Sequence, residues 1–204
     1  MIGIVDYGSG NIQAVKNIYK KLKIDCEFIS SPRELQDVSK IILPGVGAFD
    51  EAMTHLNKSK MRDVLDELVL EKKIPVCGIC VGMQIMALRS DEGKVDGLGW
   101  FDATVKLFDK DLIPNKPKLP HMGWNEIEVF DQHQIFSSID LEKGFYFLHN
   151  YYFKCDNKAD VIAISKYSGY FDCAINKENI YGFQFHPEKS HINGINIFKN
   201  FAEL

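Results

Sequence analysis

The stretch IPVCGICVGMQ, residues 74–84, joins an apolar segment to a turn in which glycines flank a cysteine. An apolar run without polar alternation is typical of a strand that is covered on both faces of a sheet. Residues 78–82 then form the pattern G-x-C-x-G, the cysteine version of a nucleophile elbow, which is a strained turn from a strand into a helix. The stretch therefore predicts a buried strand followed by a turn that lifts Cys80 out of the sheet.

The sequence before this stretch alternates apolar strands with helical patterns. One helical pattern follows the turn at residues 8–11, and a longer one follows the glycine-rich loop at residues 44–47 and extends to about Leu70. Three further strands are predicted in the segments MIGIVDY, CEFIS and KIILPGVGAF. Because apolar strands that alternate with helices indicate a parallel sheet covered on both sides, the first half is predicted to be α/β.

The pattern of apolar and polar residues changes after Gly97. Short, alternating segments separated by turns predict a largely antiparallel second half, and INGINIFKNFAEL, residues 192–204, predicts one closing helix. The polar stretch at residues 109–120 is expected to be a long surface loop.

Composition sets limits on the class of protein. A chain of 204 residues, 46% hydrophobic and with a net charge of −4, fits one globular domain over residues 1–204. Scattered charges without a basic stripe make nucleic acid an improbable partner. The start of the chain has no pattern of a signal peptide, and no run of about 18 apolar residues occurs. We therefore expect a soluble, cytoplasmic protein that does not enter a membrane.

The two cysteines of the C-x-x-C spacing have three chemical interpretations. A structural zinc site needs further ligands at a short, regular spacing, and Cys155 and Cys173 stand far apart and alone, so no metal site is expected. A redox pair before a helix remains open as an alternative. The elbow pattern favours the third interpretation, in which Cys80 is a nucleophile and Cys77 a packed core thiol. The odd count of five cysteines also makes a disulfide framework improbable.

A cysteine nucleophile needs a base and a group that orients the base. The helix N-terminus after Cys80 favours a thiolate over the neutral thiol, and its free N–H groups could hold an oxyanion. Among the six histidines, His186 ends an apolar strand and is followed by a proline and Glu188. A carboxylate beside an imidazole stabilises the cation and selects the tautomer. A surface histidine with a solvated glutamate is the alternative that spacing alone leaves open.

The segments GICVGMQ and FQFHPE together resemble the class I, triad-type glutamine amidotransferases. Nearly the whole chain takes part, because DYGSGN, LPGVGAF, PHMGWN, FYFLHNYY and HPEKS are similar to the glutaminase subunits of imidazole glycerol phosphate synthases. The resemblance implies a doubly wound, mostly parallel central sheet of the flavodoxin-like kind, with an antiparallel extension in the second half. It also implies an enzyme that needs no cofactor.

The resemblance also implies a role for individual residues. Glutamine is hydrolysed to glutamate and ammonia through a thioester on Cys80, with His186 as base and acid and Glu188 orienting it. The backbone N–H groups of Val46 and Val81 would hold the oxyanion, once the PGVG loop turns the Val46 N–H inward. Substrate contacts are implied for six residues: Gly45, Gly47, Gln84, Glu92, Asn150 and Tyr151. A partner interface is implied for four more: Trp124, Asn125, Tyr146 and Lys189.

The implied partner is a separate (β/α)₈ barrel cyclase that receives the ammonia and makes imidazole glycerol phosphate and AICAR in histidine biosynthesis. In a heterodimer of this kind, the partner's ligand switches the oxyanion loop. One alternative is a paralogous glutaminase whose barrel partner amidates a surface-sugar precursor, since the glutaminase chemistry would be identical. A non-catalytic scaffold and a peptidase built on a similar elbow are alternatives from other classes.

Overall fold

A computed structural model describes residues 1–113, 118–130 and 133–204. The first half contains the strands and helices that surround the elbow, and all four predicted strands are present. In chain order its elements are β1 Ile2–Val5, α1 Ile12–Leu22, β2 Cys26–Ile29, α2 Pro32–Leu35, β3 Lys40–Gly45, α3 Phe49–Ser59, α4 Arg62–Asp66 with a π-helical continuation Glu67–Glu71, β4 Val76–Cys80 and α5 Val81–Gln84.

The second half is mostly made of short strands, as predicted. Its strands are β5 Arg89–Ser90, β6 Ala103–Leu107, β7 His121–Asn125, β8 Glu128–Val129, β9 Phe145–His149, β10 Tyr151–Cys155, β11 Val161–Lys166, β12 Tyr170–Lys177 and β13 Ile180–Phe183. The closing helix is α6, His191–Glu203, and short 3₁₀ turns occur at Lys110–Leu112, Gln134–Phe136, Leu141–Lys143, Lys158–Asp160 and Pro187–Lys189.

The main sheet has the order β2-β1-β3-β4-β13-β12-β10-β6-β5. Strands β2, β1, β3, β4 and β13 are parallel to their neighbours in this group, whereas β12, β10 and β6 continue the sheet in antiparallel pairs. Strands β11 and β8 extend it beside β12, and β7 pairs with β9 in a separate two-stranded sheet. The predicted fold, a mostly parallel sheet with an antiparallel extension, is confirmed.

The connections place helices on both faces of the parallel group. The chain moves from β1 to β2 in one direction and from β3 to β4 in the other. Because such crossovers are right-handed, α1 lies on one face of the sheet and α3 and α4 lie on the opposite face. Helix α6 packs against α1. Strands β1, β4 and β13 are accordingly buried along their whole length.

Two local predictions differ from the structure. The long helix expected to extend to about Leu70 is interrupted, because α3 ends where Lys60 adopts a left-handed backbone with φ of 61°. The chain then buries Met61 completely before α4 begins. The stretch at residues 109–120 contains a 3₁₀ turn at Lys110–Leu112, and residues 114–117 of that predicted loop lie outside the described residues.

Strand β13 differs from the expectation in a way that determines the site. The segment that contains it was assigned to the antiparallel half, but β13 lies parallel to β4 and pairs Phe183 with Ile79. Parallel neighbours end at the same edge of a sheet. The residues that follow β13 are therefore brought next to the residues that follow β4, although about one hundred residues separate them in the chain.

Candidate active site

The turn after β4 has the strained backbone of a nucleophile elbow. Cys80 has φ of 54° and ψ of −111°, in a region that L-residues rarely adopt. A Cβ atom on Gly82 would collide with the carbonyl oxygen of Leu43, and one on Gly78 would lie 2.7 Å from the carbonyl oxygen of Gly82. Glycine is therefore required at position 82 for the turn to pack against β3 and at position 78 for α5 to approach β4, and the sequence pattern predicted glycines at both positions.

The Cys80 sulfur is held among polar groups although the residue is almost fully buried. The Nε2 group of Gln184 donates to Sγ at 3.7 Å, and Sγ lies 3.9 Å from the carbonyl oxygen of Leu148. Gln84 donates in turn to the Oε1 atom of Gln184 at 3.0 Å. The sequence reasoning missed Gln184, although a polar residue inside the apolar segment FQFHPE is a signal that could have indicated it.

His186 and Glu188 form the buried pair that the sequence predicted. The Nδ1 atom of His186 lies 2.9 Å from Oε1 of Glu188, and both side chains are only 3% exposed. The backbone supports this geometry, because Ser190 donates its hydroxyl to the His186 carbonyl at 2.7 Å. A Cβ atom on Gly194 would collide with the carbonyl of Pro187, so α6 lies directly against the turn. The solvated alternative for this histidine and glutamate does not describe the structure.

The surroundings of His186 favour its charged form. Burial by itself lowers the pKa of the imidazole, but the Cys80 sulfur and the Glu188 carboxylate act more strongly and raise the pKa from 6.5 to about 10. A histidine with this pKa is an imidazolium at neutral pH. The site thus places a charged imidazolium beside the Cys80 sulfur, with the Glu188 carboxylate behind the ring.

The PGVG loop lies at the carboxyl end of β3, and its predicted oxyanion donor, the Val46 N–H, is bound to another group. The Val46 N–H donates to Oγ of Ser9 at 2.9 Å, and the Ser9 hydroxyl donates to the Val46 carbonyl at 2.8 Å. One side chain therefore holds both polar groups of Val46. Val81 is the first residue of α5, where an N–H group has no acceptor within the helix. Of the two predicted oxyanion donors, only the Val46 N–H would have to reorient.

A cavity of about 250 Å³ opens beside the elbow and is large enough for one amino acid with some water. It brings together Cys80, His186 and most of the predicted substrate residues. These lining residues are Cys80, His186, Val46, Val81, Gly47, Gln84, Glu92, Asn150 and Tyr151, together with Leu148, His149, Pro120 and Lys189. Gly45 does not line it, because it lies under the elbow, where a Cβ atom would collide with the Gly82 amide.

Two of the predicted substrate residues already have partners within the protein. Gln84 donates to the carbonyl of Tyr151 at 3.0 Å as well as to Gln184. Glu92 accepts the N–H of Phe49 at 2.9 Å, which satisfies a donor at the N-terminus of α3. Both side chains are therefore fixed at the cavity wall before any ligand binds.

Three of the four predicted interface residues lie together beside the cavity, where Trp124 and Lys189 are exposed and Tyr146 is half-buried. Trp124 is 48% exposed and lies opposite Tyr146 across the β7–β9 pair. Lys189 places its ammonium group 5.5 Å from the centre of the Tyr146 ring. Asn125 differs, because its side chain lies on the other side of β7 and donates to the Lys166 carbonyl at 2.9 Å. The exposed apolar area continues with Met122, which is 60% exposed.

The remaining cysteine predictions can be compared directly with the structure. All five cysteines are free and buried, so no disulfide forms. Cys77 is fully buried in β4, and burial raises the pKa of its thiol. Cys77 is thus packed in the core, as that interpretation expected. Within residues 1–113, 118–130 and 133–204, no group of three or more metal-binding side chains is found, and no helix is long and apolar enough to cross a membrane.

Comparisons with known proteins show the family of the chain. The family model described as glutamine amidotransferase class-I matches residues 3–204. A protein named imidazole glycerol phosphate synthase subunit HisH from Leptospira borgpetersenii is 48% identical over 204 residues, with 100% of both chains covered. A protein of the same name from Bdellovibrio bacteriovorus is also 48% identical over 206 residues, with complete coverage of both chains.

The solved structures support the fold. One, described as a glutamine amidotransferase, superimposes with a TM-score of 0.74 and covers 100% of this chain and 99% of its own, at 16% sequence identity. At that identity the likeness concerns the fold alone.

Proposed function

The chain belongs to the class-I glutamine amidotransferase family, and from that premise we propose that it is the glutaminase subunit of an imidazole glycerol phosphate synthase. The observation that carries the proposal is the buried arrangement of Cys80, His186 and Glu188 at the wall of a cavity of about 250 Å³. The names of the full-length relatives favour the histidine pathway over a sugar-modifying one. Intact chemical groups at all three positions favour an enzyme over a non-catalytic scaffold.

The proposed reaction begins with L-glutamine in the cavity. The Cys80 thiolate attacks the side-chain amide carbon, and the carbonyl oxygen becomes an oxyanion. His186, as the imidazolium, gives its Nε2 proton to the departing nitrogen, so ammonia leaves and a glutamyl thioester remains. His186 then takes a proton from water as the water attacks the thioester. Glutamate is released and the thiolate returns with the imidazolium. Glu188 keeps the Nδ1 proton in place during both steps.

Stabilisation of the oxyanion limits this reaction in the isolated chain. The Val81 N–H can serve at once, but the Val46 N–H is bound to Ser9. One missing oxyanion donor costs about 10²–10³ in rate. The isolated subunit is therefore expected to be a poor glutaminase until the PGVG loop rotates, a step that partner binding would favour.

The ammonia must then reach a second site without entering water, where most of it would become protonated and lose its nucleophilicity. We propose that a (β/α)₈ barrel cyclase docks beside the cavity on Trp124, Tyr146 and Lys189, and receives the ammonia directly. Lys189 is exposed and could pair with a carboxylate of the barrel and so fix the register of the two subunits. A cytoplasmic heterodimer is part of the same proposal.

The proposal is tested by glutamate release from glutamine. The purified chain is assayed alone, with the barrel subunit of the same organism's histidine pathway, and with that barrel's ribonucleotide substrate. We expect the complete mixture to raise the rate by orders of magnitude. Failure of that barrel to bind or to activate the chain would refute the histidine assignment.

A matched pair of cysteine variants tests the nucleophile. Cys80→Ser is expected to abolish the activated rate, since a serine hydroxyl is a far weaker nucleophile at neutral pH. Cys77 lies three residues away in the same strand, and the Cys77→Ser variant is expected to retain activity. Equal loss in both variants would instead support the redox interpretation of the pair.

A further inference from the structure

The reaction described above does not use two buried histidines, of which His149 lines the cavity and His121 lies behind it. His121 on β7 and His149 on β9 face each other across the strand pair, and Nδ1 of His121 lies 3.0 Å from Nε2 of His149. Both residues are at least 94% buried. Two imidazoles at this distance must share one hydrogen, so one ring donates and the other accepts.

The groups at the two ends of this histidine pair determine which ring donates the hydrogen bond and which accepts it. Nδ1 of His149 lies 2.8 Å from the carbonyl oxygen of Tyr151, which can only accept, so Nδ1 carries the hydrogen. In a neutral ring, Nε2 of His149 is then an acceptor, and His121 must donate to it from Nδ1. This leaves Nε2 of His121 as an acceptor for the Asn125 amide, which lies 3.2 Å away.

The orientation of the Asn125 amide, beyond His121, is fixed as well. The Nδ2 group of Asn125 also donates to the Lys166 carbonyl at 2.9 Å, and its Oδ1 accepts the N–H of Glu126 at 2.9 Å. Exchanging the oxygen and nitrogen of this amide would therefore lose good hydrogen bonds. All hydrogen bonds in the row Asn125, His121, His149 and Tyr151 consequently point the same way.

The aromatic surroundings keep both rings neutral. His121 is stacked between Phe147 and Tyr167, with ring centres 4.8 and 4.1 Å away. Burial lowers the pKa of His121 to about 4. Burial also lowers the pKa of His149, and the neighbouring His121 and, more weakly, His186 lower it further. At neutral pH the row is thus held together by neutral hydrogen bonds with defined tautomers.

The inner end of the row lies on the substrate cavity. The carbonyl of Tyr151 receives hydrogen bonds from both His149 and Gln84, and all three residues line the cavity. Residues 148–151 also include the Leu148 carbonyl near the Cys80 sulfur. A displacement of His149 would therefore move the cavity wall that faces the nucleophile.

We propose that His149, held in its Nδ1–H tautomer by His121 and Asn125, is a positioning residue that sets the wall of the glutamine cavity at residues 148–151. The substrate assignment in this inference rests on the proposed function. His121 does not itself line the cavity, and its side chain reaches the lining through the hydrogen bond to His149. The row begins on β7, the strand that also carries the exposed Trp124.

The tautomer is measured first, by ¹⁵N NMR of the full-length chain with labelled histidines, assigned by single substitutions. We expect His149 to be the Nδ1–H form and His121 the Nδ1–H form at pH 7. An Nε2–H form or a mixture at His149 in the unsubstituted protein would overturn the proposal. This measurement needs neither the partner nor glutaminase activity, so its outcome is independent of the proposed function.

The kinetic test uses His121→Phe, which keeps an aromatic ring between Phe147 and Tyr167 but removes the donor to His149. In the complex with the barrel subunit, we expect KM for glutamine to rise about three- to tenfold, the range for one neutral hydrogen bond, with kcat changed less than about twofold. His149→Asn keeps a donor for the Tyr151 carbonyl and is expected to retain more affinity than His149→Phe.

The matched control is His133→Phe. His133 also uses both ring nitrogens, with Nε2 3.2 Å from Oδ1 of Asn176 and Nδ1 accepting the N–H of Ile135, but it lies away from the cavity. We expect this variant to leave KM unchanged. An unchanged KM in His121→Phe, or a KM that rises equally in His133→Phe, would contradict the proposal, because the effect would then be absent or merely structural.

Discussion

Removal of the Ser9 hydroxyl is expected to activate the isolated chain. In the structure this hydroxyl binds both the N–H and the carbonyl of Val46, at 2.9 and 2.8 Å. Rotation of the loop toward the nucleophile must break both hydrogen bonds. Gly47, with φ of 91°, gives the loop backbone the freedom to rotate. The substitution Ser9→Ala would therefore lower the cost of presenting the Val46 N–H to the oxyanion.

The size of the effect follows from the two hydrogen bonds. Each contributes about 0.5–1.5 kcal/mol net, and their partly exposed position favours the lower part of that range, so together they stabilise the resting loop by about 1–2 kcal/mol. This corresponds to about a 5–30-fold higher rate of glutamate release without the partner. The gain cannot exceed the value of one oxyanion donor, about 10²–10³ in rate.

The assay compares Ser9→Ala with Ser9→Thr, which keeps a hydroxyl, in the absence and presence of the activated barrel subunit. We expect a higher basal rate only for Ser9→Ala and a nearly unchanged rate for the complex, in which the loop has already rotated. The ratio of activated to basal rate would fall accordingly. A folded Ser9→Ala variant with an unchanged or lower basal rate would show that the hydroxyl does not restrain the loop.

Three further outcomes are expected. Glu188→Gln keeps the size of the side chain but removes the charge behind His186. The kcat of the complex is expected to fall by about 10²–10⁴-fold. A fall of less than tenfold would contradict the proposal that Glu188 orients His186. The folded-state pKa of His121, about 4, lies below its unfolded value of 6.5, so its contribution to stability is complete above pH 6.5 and is lost as the pH falls toward 4. Urea unfolding of the chain is expected to show this loss, up to about 3 kcal/mol, and a His121→Phe variant with the same pH dependence would argue against it. Lys189→Glu is expected to weaken partner binding by about 10–100-fold in a titration followed by calorimetry. Lys58→Glu, the control on the exposed face of α3, is expected to have little effect on binding. Equal weakening by both variants would show that the interface lies elsewhere.

Much of the site could be predicted from the sequence because its signals are local. The elbow requires glycines at fixed positions on both sides of Cys80, since a Cβ atom on Gly78 or Gly82 would collide with neighbouring backbone atoms. The histidine and glutamate are two residues apart on one turn, so their pairing depends on little else than that turn. The apolar runs of the parallel strands were equally clear, because burial on both faces leaves no room for polar alternation.

The sequence alone did not determine which residues support these groups. Gln184 reaches Cys80 and Gln84 only because β13 lies parallel to β4, a pairing that the local pattern of the segment did not indicate. The break in the helix after Ser59 was also missed, since a lysine in the left-handed conformation leaves no distinctive signal in the sequence.

The sequence by itself determined the fold class and indicated Cys80 and His186 as the proposed nucleophile and base, because strand burial, elbow glycines and a two-residue spacing are all properties of neighbouring residues. Only the tertiary structure decided which hydrogen bonds hold the PGVG loop and the wall of the cavity. The Ser9 hydroxyl meets Val46 across 37 residues, and His121 meets His149 across 28. Single polar side chains that meet over such distances follow no periodicity, and the direction of their hydrogen bonds depends on every group in contact with them.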